Sequence, residues 1–339
     1  GAHQSASQYS LQEGGSIRTT AFAHQAGGAR ELRKPLDHSA LVAKPCCKRE
    51  AWFYRNGGSL KQFAPRFHGI KRSDTGVPAV LLEDLTSGYR RPCVLDVKMG
   101  VCTAAPDRTA VKQARCKQKD KQTTTGSVGA RICGLRAYQV ESGEYTMYDK
   151  VWGNQLKFDE FGDGIAKFFD NGSRRRRVLA KRFVEMLQPL RKMMAEQGLY
   201  RFYASSILFI YEGSEEPEEE VEVGDNWLEQ CDLECKANVK MIDFAHVFPI
   251  GEGHGSRDNS YRCGLDNLLR VLEGIGNGLS GNEFKLIDHS GHDELHVHCL
   301  CGQDPVRSDW NYMSGSRSGN CTPLEKTPAK TPASSPVVY

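Results

Sequence analysis

Apolar and charged side chains interleave most tightly in Pro92-Cys93-Val94-Leu95-Asp96-Val97-Lys98-Met99-Gly100. In an extended strand this order puts Leu95, Val97 and Met99 on one face and Asp96 with Lys98 on the other. A carboxylate and an ammonium sharing one face of an apolar strand suit a cleft that handles a charged ligand. Strand-like apolar runs recur at Leu41-Val42-Ala43-Lys44, at Ala79-Val80-Leu81-Leu82, through Arg131 to Val140, and at Val239-Lys240-Met241-Ile242. Residues Arg49 to Tyr54, between the first two, read as a helix, which gives a strand, helix, strand unit. A second helix is predicted from Asp107 to Lys119, followed by a Thr/Gly loop from Thr123 to Gly129. A long third helix runs from Val178 to Gln197, where Leu179, Phe183, Met186, Leu187 and Leu190 recur at helical spacing as a core stripe.

The same pattern marks the divisions of the chain. Residues 1–20 are rich in Ser, Gln and Gly and read as a disordered leader. A small N-terminal lobe is expected over 21–86, and a larger lobe over 87–285 begins after the Gly-containing connector Glu83-Asp84-Leu85-Thr86-Ser87-Gly88. Within the larger lobe, the run Glu215-Glu216-Pro217-Glu218-Glu219-Glu220 predicts an exposed acidic loop over 214–235. From residue 286 to 339 the periodicity fades, and Thr322-Pro323, Thr327-Pro328, Thr331-Pro332 and Ser335-Pro336 mark a disordered tail.

A chain of 339 residues with 39% hydrophobic content can bury a substantial core, and a net charge of +3 is too small for wholesale nucleic-acid binding. Basic sites must therefore be local. On a helix from Asp107 to Lys119, the cations Lys112, Arg115 and Lys119 share one face, an arrangement that costs helix stability unless an anion sits against it. The run Arg174-Arg175-Arg176-Arg177 is expected to be exposed, with a localisation role. No stretch of ~18 apolar residues and no secretory signal pattern is present, so membrane insertion is not expected and a cytoplasmic or nuclear location is. Of the twelve cysteines, Cys93 and Cys133 lie in strand-like runs as small hydrophobes, and Cys46 and Cys47 are adjacent, which favours a reducing compartment. His296, His298, Cys299 and Cys301 lack paired zinc-finger spacing and read as polar tail.

The motif Pro-x-x-x-Asp-x-Lys-x-Gly at Pro92 to Gly100 resembles the signature of the inositol polyphosphate kinases. Two further motifs follow in order, Ala204-Ser205-Ser206-Ile207-Leu208-Phe209 and Met241-Ile242-Asp243-Phe244-Ala245-His246. His24-Gln25-Ala26-Gly27-Gly28, the run Arg131 to Gln139 and Tyr200-Arg201-Phe202-Tyr203 are similar to the hexakisphosphate kinase branch. The likeness extends from about His24 to about Gly274.

That resemblance implies an α+β, two-lobed kinase-like fold with an antiparallel N-lobe sheet, an α/β C-lobe and a helical inositol-phosphate-binding segment over about 101–130. It implies ATP and Mg2+ as cofactors and an inositol polyphosphate as substrate. Lys44 would bind ATP phosphates with Glu50 holding it, Glu83 and Leu85 would receive adenine, and Asp96 would meet the ribose. Lys98 would contact the transferred phosphate and the acceptor. Asp243, with Ser206 in support, would hold the metal. Lys112, Arg115, Lys119 and His246 would bind the inositol phosphate, with Arg131 and the loop Thr123 to Gly126 adding contacts. No Walker-type loop and no His-Arg-Asp catalytic loop is present. The expected reaction is γ-phosphate transfer to inositol hexakisphosphate. The rivals are a multikinase acting on tris- and tetrakisphosphates and a non-catalytic inositol-phosphate sensor with protein partners on its tails.

Overall fold

The computed structural model describes residues 16–27, 31–38, 40–73, 76–214, 227–250 and 257–290. Strands β1 (Ser16–Ile17), β2 (Thr19–Ala21), β3 (Arg33–Pro35), β4 (Leu41–Pro45), β5 (Phe67–Ser73) and β6 (Pro78–Glu83) form one sheet in the order β1-β5-β6-β4-β3-β2. Neighbours are antiparallel except β1, which lies parallel to β5. The alternation in β6 explains its two buried faces. Val80 and Leu82 enter the main core, while Ala79 and Leu81 join Ile17 and Ala43 in a small outer cluster. Helix α1 (Lys48–Asn56) turns Ala51, Phe53 and Tyr54 into the core, and Phe53 packs 4.3 Å from the Phe244 ring.

The second sheet uses β7 (Pro92–Met99), β8 (Ala130–Tyr138), β9 (Tyr145–Tyr148), β11 (Ser206–Glu212) and β12 (Ala237–Ile242) in the antiparallel order β12-β11-β7-β8-β9. A separate pair joins β10 (Tyr200–Phe202) to β13 (Val247–Pro249). Its helices are α2 (Ala110–Gln122), α3 (Thr124–Val128), α4 (Lys150–Gln155), α5 (Phe161–Ala166), α6 (Arg177–Glu196), α7 (Trp227–Glu234) and α8 (Asn259–Gly276). The central β7 is buried along nearly its whole length. Its Leu95, Val97 and Met99 enter the core that α6 fills with Leu179, Phe183, Leu187 and Leu190, and α8 with Leu268, Val271 and Leu272. Phe183 and Phe209 of β11 meet edge to face at 5.2 Å. The opposite face presents Asp96 and Lys98.

Several boundaries differ from the sequence reading. Within the expected leader, Ser16–Ile17 and Thr19–Ala21 are strands, because Ile17, 6% exposed, finds a hydrophobic niche no local pattern announces. Strand β5 escaped notice because Gly69, at φ +111, lies in a bulge between Phe67 and Ile70 that breaks the alternation. The helix predicted from Asp107 starts at Ala110, with Thr109 as its cap. The Thr/Gly loop after it is α3, closed by Gly129 in the left-handed region. The expected acidic loop over 214–235 ends in α7, and its glutamate run lies outside the described residues.

The tail expected from 286 is still docked at its start. The Ile287 N–H donates to Asn267 Oδ1 at 2.9 Å, and that of His289 to the Ser127 carbonyl at 2.8 Å. The Thr-Pro dipeptides and the His/Cys group lie outside the described residues. The arginine run is not an exposed patch. Arg176, 1% exposed, donates from Nε to Asp232 at 2.6 Å and from Nη1 to the Glu212 carbonyl at 2.9 Å, while Arg174 holds the same carboxylate. A buried guanidinium is stable only when paired in this way, and Asp232 lies too far along the chain for sequence to pair them.

Candidate active site

Lys44 ends the apolar run of β4 on the face shared with Val42, so its stem is buried and its ammonium reaches the base of the cleft. There Nζ donates to Glu50 Oε1 at 2.6 Å and pairs with Asp243. Glu50 is 1% exposed, so it is no solvated helix residue. Burial opposes the charge on Lys44, but Asp243 and Glu50 outweigh it and hold the ammonium well above its ordinary range.

Asp243 follows β12 with φ +66, and Ala204, before β11, has φ +56. Both are side-chain-bearing residues in the left-handed region, where such a residue costs on the order of 1–3 kcal/mol. Their strain serves the same cleft. The Lys98 ammonium donates to the Ala204 carbonyl at 2.7 Å, and the next carbonyl, Ser205, accepts from Met99 N at 2.9 Å. Ser205 and Ser206 are fully buried, and their hydroxyls have no hydrogen-bond partner among the described residues.

Asp96 is 3% exposed, one oxygen of its carboxylate is buried without a partner, and it faces a bulge where Gly134 stands opposite it in β8. Burial pushes its carboxyl up to about 6, with Lys98 working against the shift and Asp243 adding to it. A strap made of residues 22–27 crosses this point. A Cβ on Gly27 would lie 2.5 Å from the Asp96 carboxylate, and one on Gly134 would collide with the Ala26 carbonyl. Arg136 fastens the strap by donating to the Ala23 carbonyl at 3.1 Å, its Nη1 lying 3.2 Å from His24 Nδ1.

Glu83 is tied to Arg66 twice, its carboxylate accepting from Arg66 N at 3.0 Å and its own N–H donating to the Arg66 carbonyl at 3.0 Å, and Leu85 beyond it is half-buried. Asp84 secures the turn through Thr86 N at 2.8 Å and an ion pair with Lys34. Beside Glu83 opens a cavity of about 510 Å3, lined also by Tyr54, Pro65, Phe67 and Lys240.

The basic side of the cleft rises on α2, which buries only Asp120 of its own residues. Asp120 ties the helix down by accepting from Thr103 N and Oγ1, both at 2.7 Å. Lys119 has its ordinary value lowered, first by burial and then by the charges of Arg131 and Lys98, so these cations share one region. Lys112 and Arg115 stand two turns and one turn earlier on the same helix. Arg131 is 5% exposed with Nε and one Nη lacking partners, and Thr124 and Thr125 below it carry buried unpartnered hydroxyls. Unpaired buried donors of this kind await an acceptor. His246 places Nδ1 3.0 Å from Asp107, which also pairs with Arg49 of α1.

Sequence reading missed Ala204, Asp107 and Arg49. Alanine carries no signal of its left-handed backbone, and the other two matter only through partners far along the chain. Among the described residues, no group of three or more His, Cys, Asp or Glu side chains forms a self-sufficient metal site. No described helix is long and apolar enough to cross a membrane.

A family model described as inositol polyphosphate kinase matches residues 79–273. Inositol hexakisphosphate kinase 3 of Homo sapiens is 35% identical over 212 residues, covering 59% of this chain and 52% of the relative. Inositol hexakisphosphate kinase 2 of Homo sapiens is 35% identical over 217 residues, covering 58% and 51%. The chain thus spans about half the length of the curated relatives it matches. Among solved structures, the inositol phosphate multikinase of S. cerevisiae, in complex with ADP and Mn2+, is 27% identical with a TM-score of 0.57, covering 69% of this chain and 98% of that one.

Proposed function

This chain belongs to the inositol polyphosphate kinase family, and from that premise we propose that it transfers the γ-phosphate of ATP to inositol hexakisphosphate, giving a diphosphoinositol product. The observation that carries the reading is the cation cluster of Lys98, Lys119 and Arg131 facing Asp96 and Asp243, with Arg131 buried and unpaired. Phosphoryl transfer is mostly positioning and charge neutralisation, and this cluster supplies both.

Lys44, held by Glu50, binds the ATP phosphates. Asp96 accepts from the ribose, and the hinge backbone at Glu83 and Leu85 takes the adenine beside the cavity. Lys98 neutralises the phosphoryl group in flight, while Lys112, Arg115, Lys119, Arg131 and His246 hold the acceptor. The donor set fits Mg2+, which is bound through one or two carboxylates completed by phosphates and waters. Asp243 would hold it, and the unpartnered Ser206 hydroxyl would support its waters. When bound, the ion would set positive charge against the nucleotide phosphates. The multikinase complex with ADP and Mn2+ supports a nucleotide and a divalent metal here.

A fully phosphorylated ring has no free hydroxyl, so its acceptor is a phosphate and its product a phosphoanhydride. Bringing two anions together asks for dense neutralisation, which favours the hexakisphosphate. Identity to hexakisphosphate kinases supports the same choice. The multikinase likeness favours the second reading, phosphorylation of tris- and tetrakisphosphates. The test is incubation with ATP, Mg2+ and a panel of inositol phosphates, with products resolved by charge and mass. A gain of one phosphate on the hexakisphosphate is expected. Monoester gain on lower phosphates alone would install the multikinase reading.

A further inference from the structure

Asp107 was expected to open the helix that carries the acceptor cations. It instead lies in the loop before that helix and meets two side chains from distant segments. His246 Nδ1 is 3.0 Å from its Oδ1, and Arg49 pairs with its Oδ2. Burial opposes ionisation of this carboxyl, but the hydrogen bond and charge of His246, with those of Arg49, bring it down to about 2. An ionised carboxylate can only accept hydrogen bonds, so the proton of the contact belongs to His246 Nδ1.

The frame around the pair is rigid. Arg49 lies 4.2 Å over the Phe248 ring and donates to the Ala245 carbonyl at 3.4 Å. The His246 carbonyl accepts from Tyr203 N at 3.0 Å, next to Ala204, which anchors Lys98. Thus the imidazole is fixed at its backbone to the Lys98 anchor and at Nδ1 to the loop that leads into α2.

We propose that Asp107 is a positioning residue: by accepting from Nδ1–H of His246, its carboxylate aims Nε2–H of the same ring at the acceptor phosphate, which accepts from it, and Arg49 locks the carboxylate in place. This rests on the function proposed above and adds to it the residue that acts through His246. Without Asp107, the ring divides between rotamers, and the contact to the acceptor is lost. The nucleotide, held at Lys44 and Asp96, is unaffected.

The test combines kinetics with a spectroscopic readout that needs no turnover. In wild-type protein with inositol hexakisphosphate, long-range 1H–15N spectra should show His246 protonated at Nδ1 as well as at Nε2, and Asp107→Ala should take the proton from Nδ1. Asp107→Ala should raise KM for inositol hexakisphosphate roughly tenfold, the size of one charge-assisted hydrogen bond, with KM for ATP nearly unchanged. In a His246→Ala background the same substitution should cost less than about twofold, since coupled residues are non-additive. Asp107→Asn, closest in shape, serves if the alanine variant misfolds, and the same non-additivity is expected. A wild-type ring with no proton on Nδ1 would overturn the proposal, as would equal costs of the substitution in both backgrounds. If the wild type transfers no phosphate at all, the proposed function falls, and the proton on Nδ1 still decides the role of Asp107.

Discussion

Asp243 and Ala204 hold left-handed backbones at the neighbouring ends of β12 and β11, and each aims one functional group, a carboxylate in the first case and the carbonyl that anchors Lys98 in the second. Because asparagine tolerates this region better than most residues, Asp243→Asn should keep the fold while removing the charge. Together with Lys98→Ala, it should cost on the order of a hundredfold or more in turnover, as loss of an electrostatic contact to a developing charge typically does. Steady-state kinetics beside a far-ultraviolet spectrum of each variant checks this. Turnover near the wild-type value would exclude the substituted residue.

Asp96 makes the opposite trade. Its carboxyl is held up to about 6, so the native state binds a proton more tightly than the unfolded chain, and stability falls as pH rises from about 4 to 6. Asp96→Asn removes the ionisation. It should therefore be more stable than wild type at pH 7, by on the order of 2 kcal/mol, with the gain fading toward pH 4, while its KM for ATP rises. Urea unfolding across that range measures the slope. An unchanged slope in the variant would assign it to another group.

At the scale of elements, α2 is unusual in having almost no buried face, being held by Asp120 at one end and by Cys116 against Tyr203 and Phe248. A helix with so little apolar contact is a platform for its charges. Neutralising Lys112, Arg115 and Lys119 together should raise KM for the inositol phosphate by at least about tenfold at low salt, less at high salt, and leave that for ATP nearly unchanged. A parallel rise for both substrates would reduce the helix to surface. The cations themselves were visible in the sequence, as were the long stripe of α6, the alternation in β4, β6 and β7, and the residues of the three motifs. What sequence hid is what depends on partners. The bulge at Gly69 concealed β5, Asp232 concealed the burial of Arg176, and His246 concealed the use of Asp107.

Across the molecule, the stretch from β4 into α1 reaches later segments of the chain twice, through Lys44 to Asp243 and through Arg49 to Asp107. These ion pairs fasten β4 and α1 to the end of β12 and to the loop before α2, and Lys44 is the group proposed above to receive the nucleotide. ADP with Mg2+ should therefore stabilise the fold measurably, by about 2.7 kcal/mol when the ligand is at a hundred times its Kd. Thermal melts should show the midpoint rising with ligand, the rise shrinking on chelation of the metal, and Lys44→Ala losing most of it. A rise of equal size in Lys44→Ala would place nucleotide binding elsewhere.

The strap of residues 22–27 is admitted to the face of Asp96 only because positions 27 and 134 carry no side chain. It acts on time as well as on shape. On the proposed reading of Asp96 as the ribose-side carboxylate, a backbone laid over it would be a barrier for a departing nucleotide to lift, and the fit of one carbonyl over one glycine would govern how long ADP stays. Gly134→Ala, which drives a methyl group into the Ala26 carbonyl, should speed release of a fluorescent ADP analogue in stopped-flow mixing. Where product departure limits the cycle, that crowded variant would turn over faster than the natural chain.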